Sequence, residues 1–204
     1  MSARDAVLAA LRRGGFPVPL PPPMRTPPRV ERTALFMQRA ADAGAEVRLT
    51  RPSELAQDVV RAVIAQGKEK VVIWDDPLLA GSVEALRGVG LTIVEPKGQM
   101  GETASDEGVG LTSVDRAIAE TGTLVLACAP GRPRAVSLLP PRHIAVLPEA
   151  RIYGDLFELI GALGRPLPSA LTFITGPSRT ADIGLTLVRG AHGPMALTVF
   201  VVSS

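Results

Sequence analysis

The residues with the most chemical potential fall in a few short runs. The run FITGPSRTADIG, residues 173 to 184, places Gly176, Pro177, Ser178, Arg179, Thr180 and Asp182 directly after a short apolar segment. Gly176 lets backbone approach a ligand or a neighbouring strand without a Cβ clash. Pro177 fixes the following φ. Ser178 and Thr180 carry hydroxyls that cap backbone groups or donate to an anion, and the Arg179 guanidinium is a planar fork of donors. Asp182 cannot hold an anion and suits pairing with Arg179 or capping of amides. The corner therefore reads as a small anion site or as an internally satisfied Arg–Asp turn. It is not a nucleoside-triphosphate loop, because the Gly-rich spacing and the Gly-Lys pair are missing.

In VRGAHGPMAL, Gly190 and the pair Gly193-Pro194 bracket His192 in a tight connection. An imidazole held there suits acid or base work near neutral pH, or a hydrogen-bonded turn. His143, at the mouth of HIAVL, reads as structural. These are the only two histidines, and without ligand spacing they support no metal site. In AIAETGTLVL, Glu120 precedes Thr121, Gly122 and Thr123. At the carboxyl end of a parallel strand its carboxylate would be a candidate base or nucleophile, with Thr121 and Thr123 holding it or the substrate. Elsewhere it would be a structural or solvent-facing group. The polar loop from Gly98 to Gly108 carries Glu102, Asp106 and Glu107 and reads as solvated, with a lid as the alternative.

The elements that must position these groups show in the periodicity. SARDAVLAALRR reads as a short helix and FPVPLPPPMRTPP as an extended arm, so residues 1–27 form an N-terminal extension and 28–204 the domain. Helices are predicted from about Pro28, with Leu35, Phe36 and Ala40 inward, and in ELAQDVVRAVIAQG, with Leu55, Val59, Val63 and Ile64 inward. Strands are predicted at EVRLT, KVVIWDD and LTIVEP. The alternation gives βαβαβ and a parallel sheet with right-handed crossovers. Further on, VDRAIAETG reads as a short helix, TLVLAC, HIAVL, SALTFITG and MALTVFVV as strands, and DLFELIGALG as a helix with Leu156, Leu159 and Ile160 inward.

Composition narrows the class. With 46% apolar residues but only 3% aromatic, the core must be aliphatic, which suits strands buried on both faces. The net charge of +2 and the lack of a basic stripe with interleaved aromatics argue against nucleic-acid binding. The single cysteine, Cys128, cannot form an intrachain disulfide or hold an iron–sulfur cluster, and reads as a buried thiol. No apolar 18-residue run or secretory segment is evident, so no membrane span and a cytoplasmic location are expected. No dinucleotide fingerprint is present.

Together, IAETGTLVL, PRHIAVL, FITGPSRTADI and GAHGPMALTVFVV resemble the lactate-utilisation protein C family, or LUD domain, most strongly over residues 109–202. The resemblance implies an α/β fold of three α/β/α layers on a mostly parallel sheet, similar to the ribose-phosphate isomerase, glucosamine-phosphate deaminase and CoA-transferase group. It implies a part in oxidising L-lactate to pyruvate within a multi-component system. Iron–sulfur clusters are then expected in the partner proteins and no cofactor in this chain. Motif positions carried over are Glu120, Thr121, Gly122, Thr123, Gly176, Pro177, Ser178, Arg179, Thr180, Asp182, His192 and Gly193. On this basis Glu120 and His192 are the catalytic candidates and the others ligand-binding candidates. Three roles stay open: a ligand-binding accessory subunit for a small carboxylate or phosphate-bearing molecule, a CoA-transferase-like or isomerase-like enzyme using Glu120, and a structural subunit docking through its Pro-rich arm. The expectation common to the first two is that Glu120, Arg179 and His192 converge on one hollow.

Overall fold

The computed structural model describes residues 4, 29–95, 108–180, 188–189 and 193–203. The Pro-rich arm, most of the 98–108 loop, Asp182 and His192 lie outside the described residues.

The first half follows the predicted alternation. Helix α1 (Arg29–Asp42) leads to β1 (Glu46–Thr50), α2 (Leu55–Ala65), β2 (Lys70–Ile73), α3 (Ala80–Gly88) and β3 (Thr92–Val94). α1 buries Phe36 and Ala40, four residues apart on one face. α2 buries Leu55, Val59, Ala62 and Val63. Ile64, expected to join them, is 56% exposed. Nine residues after Leu55 at 100° each puts Ile64 on the opposite side of the helix.

The chain then adds β4 (Val109–Ser113), β5 (Arg116–Ile118), β6 (Thr123–Ala127), the single-turn helix α4 (Ala135–Leu138) and β7 (Arg142–Pro148). It continues through β8 (Ile152–Tyr153), α5 (Leu156–Gly161), β9 (Leu171–Ile174), β10 (Arg179–Thr180), β11 (Val188–Arg189) and β12 (Ala196–Val202). Among the described residues, six strands form one sheet in the order β1-β12-β7-β4-β2-β3, every neighbouring pair parallel. Its central strands are aliphatic and buried almost throughout, as a sheet covered on both faces requires. Two buried polar contacts cross inside it. Thr112 meets His143 at 2.9 Å, and the Ser113 hydroxyl donates to Asp76 at 2.6 Å.

A second sheet, β8-β5-β6-β9, is mixed rather than parallel: β5 and β6 form an antiparallel hairpin, β9 pairs antiparallel to β6, and β8 parallel to β5. This corrects two expectations. The fold is a mixed α/β arrangement, and the segment before Glu120 is a strand, not a helix. Val114 and Ile118 stand four apart, a spacing that satisfies a strand period of two as well as a helical one. The choice falls to the turn. Gly122 has φ +65°, and a Cβ there would collide with the backbone of Arg39 and Ala40, so a hairpin turn can press directly onto the end of α1. α5 is also only partly as expected: Leu159 is buried against Ile118 and Val125, whereas Leu156 and Ile160 are exposed. Six residues give too few turns to present a broad buried face.

Candidate functional site: a cleft at the amino end of the large sheet

The FITGPSRT run ends β9 and turns sharply. Gly176 has φ +76°, and a Cβ on it would run into the carbonyl of Ala43 in the turn after α1. The close approach foreseen for this glycine is therefore to protein backbone. Pro177 is buried beside it. The Ser178 amide donates to the Pro194 carbonyl at 2.8 Å, tying the corner to the segment entering β12. The Arg179 guanidinium lies against Gly44. The side chain of Arg179 is exposed, and among the described residues no carboxylate pairs with it. Residues Arg179 and Thr180 form β10 against β11.

This corner forms one wall of a cleft of about 530 Å³. Edge strand β9 and the corner supply Thr172, Thr175, Ser178 and Arg179; α4 supplies Ser137; the floor includes His143 and Leu197. His143 and Leu197 are register neighbours and the second residues of β7 and β12, so the cleft sits at the amino ends of the parallel strands. Gly193 lies beside Ser178 at its rim, where an added Cβ would stand 3.5 Å from the serine Cβ.

His143 is the buried polar group of this cleft. It is 1% exposed. Its Nε2 is 2.9 Å from Thr112 Oγ1, and its Nδ1 has no hydrogen-bond partner. Burial pushes its pKa down from the ordinary 6.5 to about 4, because the charged ring would lose its hydration. The ring is therefore neutral at pH 7, with one nitrogen a donor and the other an acceptor.

The hairpin threonines reach the cleft indirectly. Thr121 Oγ1 is 2.7 Å from Thr123 Oγ1, which is 2.7 Å from Thr175 Oγ1. This chain of hydroxyls runs from the β5–β6 turn through buried Thr123 to the cleft wall. Gly122 serves packing against α1. Glu120 is exposed in the same turn, its amide donating to the Gly154 carbonyl at 3.1 Å. It is not among the residues lining the cleft. The structure thus gathers Ser178, Arg179, Gly193 and, through Thr175, the two hairpin hydroxyls, while Glu120 stands apart from them. His143, read from the sequence as structural, lies in the cleft lining. The available signal was a lone imidazole at the head of an otherwise aliphatic buried strand.

The carboxyl ends of the strands, where parallel sheets usually bind ligands, look different. The strand order reverses direction between β2 and β4, and a second cleft of about 610 Å³ opens there beside Trp74, Asp75, Asp76, Glu84 and Arg87. Within it Arg87 pairs with Glu95 at 3.1 Å, and further pairings hold the residues around it. Arg132 pairs with Asp115 at 2.5 Å and lies over the Trp74 ring at 4.7 Å. The Trp74 indole donates to the Pro133 carbonyl at 2.9 Å, and Asp76 caps the turn at Leu78. Cys128, expected buried, is half-buried in a third hollow beside Arg116 and Arg165. Among the described residues no three His, Cys, Asp or Glu side chains are grouped to hold a metal ion, and no helix is long and apolar enough to cross a membrane.

Known proteins share this architecture. A DUF162 family protein from Deinococcus radiodurans, known from a crystal structure, superposes with a TM-score of 0.65 at 28% identity, covering 88% of this chain and 99% of its own. Lactate utilization protein C from Halalkalibacterium halodurans is 32% identical over 167 residues, 77% of this chain and 73% of that protein. The protein of the same name from Geobacillus kaustophilus is 34% identical over 170 residues, 76% and 71% of the two chains. A family profile described as the LUD domain matches residues 33–202. With the profile spanning most of the chain and relatives this similar along most of their own length, the protein belongs to the LUD domain family.

Proposed function

We propose that the protein is a ligand-binding component of a lactate-utilisation system, working beside iron–sulfur partner proteins in the cytoplasm. It holds a small carboxylate, or a phosphate-bearing relative, in the amino-end cleft. The relatives named for lactate utilisation supply the process. The observation that carries the binding role is Arg179: an exposed guanidinium, unpaired among the described residues, on the wall of a hydroxyl-lined cleft. A planar donor fork of this kind matches a carboxylate in two parallel hydrogen bonds. Ser178 and Thr175 complete the polar wall. Thr180, Asp182 and His192 stay part of this reading as positions of the same sequence motifs. We take residues 28–204 as the working domain, with 1–27 as an arm, and the sheet as the middle layer of an α/β/α body akin to the isomerase and CoA-transferase group.

An enzyme using Glu120 as base or nucleophile is less favoured, because that carboxylate sits on a solvent-exposed hairpin turn and does not line the cleft. Calorimetric titration of the full chain with L-lactate, pyruvate and a phosphorylated three-carbon acid tests the binding role. Arg179→Ala should weaken the best ligand by roughly ten-fold or more, the worth of a charge-assisted hydrogen bond. Equal affinities of the wild type and Arg179→Ala for every acid refute it.

A further inference from the structure

Building on that ligand-binding reading, we propose that His143 is a second ligand contact in the amino-end cleft. Its Nδ1 meets the oxygen on the carbon next to the carboxylate of a short 2-hydroxy or 2-oxo acid held by Arg179. Three observations combine. First, the imidazole forms part of the cleft floor while 99% of its surface is covered, and Nδ1 has no partner in the protein. A buried polar atom without a partner is costly, and native structures keep few of them. Second, the contact of Nε2 with Thr112 fixes the ring orientation, so the position of the free nitrogen is set before any ligand arrives. Third, the ring is uncharged at neutral pH. It offers a neutral hydrogen bond, which suits a hydroxyl or ketone and leaves the carboxylate to the Arg179 cation in the same cleft lining.

The surrounding walls fit the rest of such a molecule. Leu138, Phe173, Pro194 and Leu197 present apolar surface for a short aliphatic tail. The Thr112 hydroxyl decides which oxygen is read. If it accepts from Nε2–H, Nδ1 carries a lone pair and accepts from a 2-hydroxyl. If it donates to Nε2, Nδ1 carries the hydrogen and donates to a 2-oxo group or to the oxygen of a 2-hydroxyl. With a lone pair on Nδ1 the ring reads the 2-hydroxy acid alone; with the hydrogen there it accommodates both acids.

Nitrogen-15 NMR of the imidazoles in the full-length protein, titrated with propanoate, L-lactate and pyruvate, tests this. His143 and His192 are the only histidines, so His143→Gln assigns the signals. The nitrogen shifts of the free protein identify the tautomer. On binding, L-lactate, and pyruvate as well where Nδ1 carries the hydrogen, should move the Nδ1 resonance and leave Nε2 in place, while propanoate should bind without moving Nδ1. The favoured acid should also bind about five-fold more tightly than propanoate, the worth of one added hydrogen bond. His143→Gln should remove that advantage while keeping the dependence on Arg179. If that variant does not fold, the wild-type shifts alone decide. Three acids that bind with Arg179 dependence but equal affinity and an unmoved Nδ1 overturn the role of His143 and leave the ligand-binding reading standing. No binding of any acid at millimolar concentration overturns both.

Discussion

Acid should reveal His143 in the stability of the protein, independently of any ligand. The folded ring protonates only near pH 4, whereas the unfolded chain takes up that proton from about 6.5 downward. Above pH 6.5 neither state is protonated and the group costs nothing. Between 6.5 and 4 the unfolded state binds more protons, so stability falls as the pH falls; below 4 both states are charged and the loss levels off. The gap between 6.5 and about 4, at about 1.4 kcal/mol per pH unit, corresponds to a loss of about 3 kcal/mol. Against a typical domain stability of roughly 5–15 kcal/mol this is a large fraction. Urea unfolding followed by fluorescence of Trp74, the only tryptophan, measures it at several pH values from 7 to 4. Wild type should lose about 3 kcal/mol more over that range than His143→Leu or His143→Gln, which lack the group. Asp58 does not interfere. Its carboxylate accepts a hydrogen bond from Thr50, which holds its pKa below the ordinary 3.8, so its contribution is lost only at lower pH and equally in both proteins. Parallel stability curves for wild type and variant would show that the ring is not buried neutral, and would refute the reasoning.

Two further substitutions probe what holds the clefts in shape. Gly176→Ala forces a side chain into the left-handed region and onto the Ala43 carbonyl; it should cost about 1–3 kcal/mol in denaturation and weaken ligand binding together with stability. Arg132→Ala leaves Asp115 without its cation and uncovers Trp74; about 2 kcal/mol of stability and a shifted tryptophan emission maximum are expected, with binding in the amino-end cleft unchanged.

The large sheet was legible because its physics is written in single runs. A parallel strand buried on both faces is a short aliphatic segment, and KVVI, HIAVLP and ALTVFVV are such segments with glycines, prolines or helices between them. In the second sheet β6 and β9 were legible as strands, but β5 and the hairpin it makes were not, because the decisive contacts are remote in sequence. Whether VDRAIAE becomes strand or helix depends on Gly122 pressing onto Ala40, some eighty residues earlier, and a local window contains neither partner. The same holds for the site. Composition marked the FITGPSRT corner as unusual, but not that its glycine is needed by the Ala43 carbonyl. The contact that leaves one nitrogen of His143 without a partner runs from β7 to β4, and that nitrogen becomes visible only once Thr112 has claimed the other. Ile64, Leu156 and Ile160 show the opposite failure. Apolar type alone suggested burial, while their angular position or the shortness of the helix left them exposed.

The geometry of the corner also limits how it can bind an anion. In phosphate-binding loops the backbone amides do most of the holding, and the sequence between them is free to vary. Here the Ser178 amide is already engaged by the Pro194 carbonyl. Gly176, whose positive φ would suit an amide nest, is pressed onto the turn after α1. On the ligand-binding proposal, recognition would therefore run through side chains: the Arg179 fork, the hydroxyls of Ser178 and Thr175, and the neutral ring of His143. Such a set favours a small planar carboxylate over a bulky phosphate, since Arg179 brings the only cationic side chain along the described cleft wall. The corner rests on Ala43 and Gly44, directly after α1, and α1 is tied to α5 by the Arg32–Glu158 pair at 2.9 Å, so the cleft wall is braced by the same helix that the hairpin turn packs against.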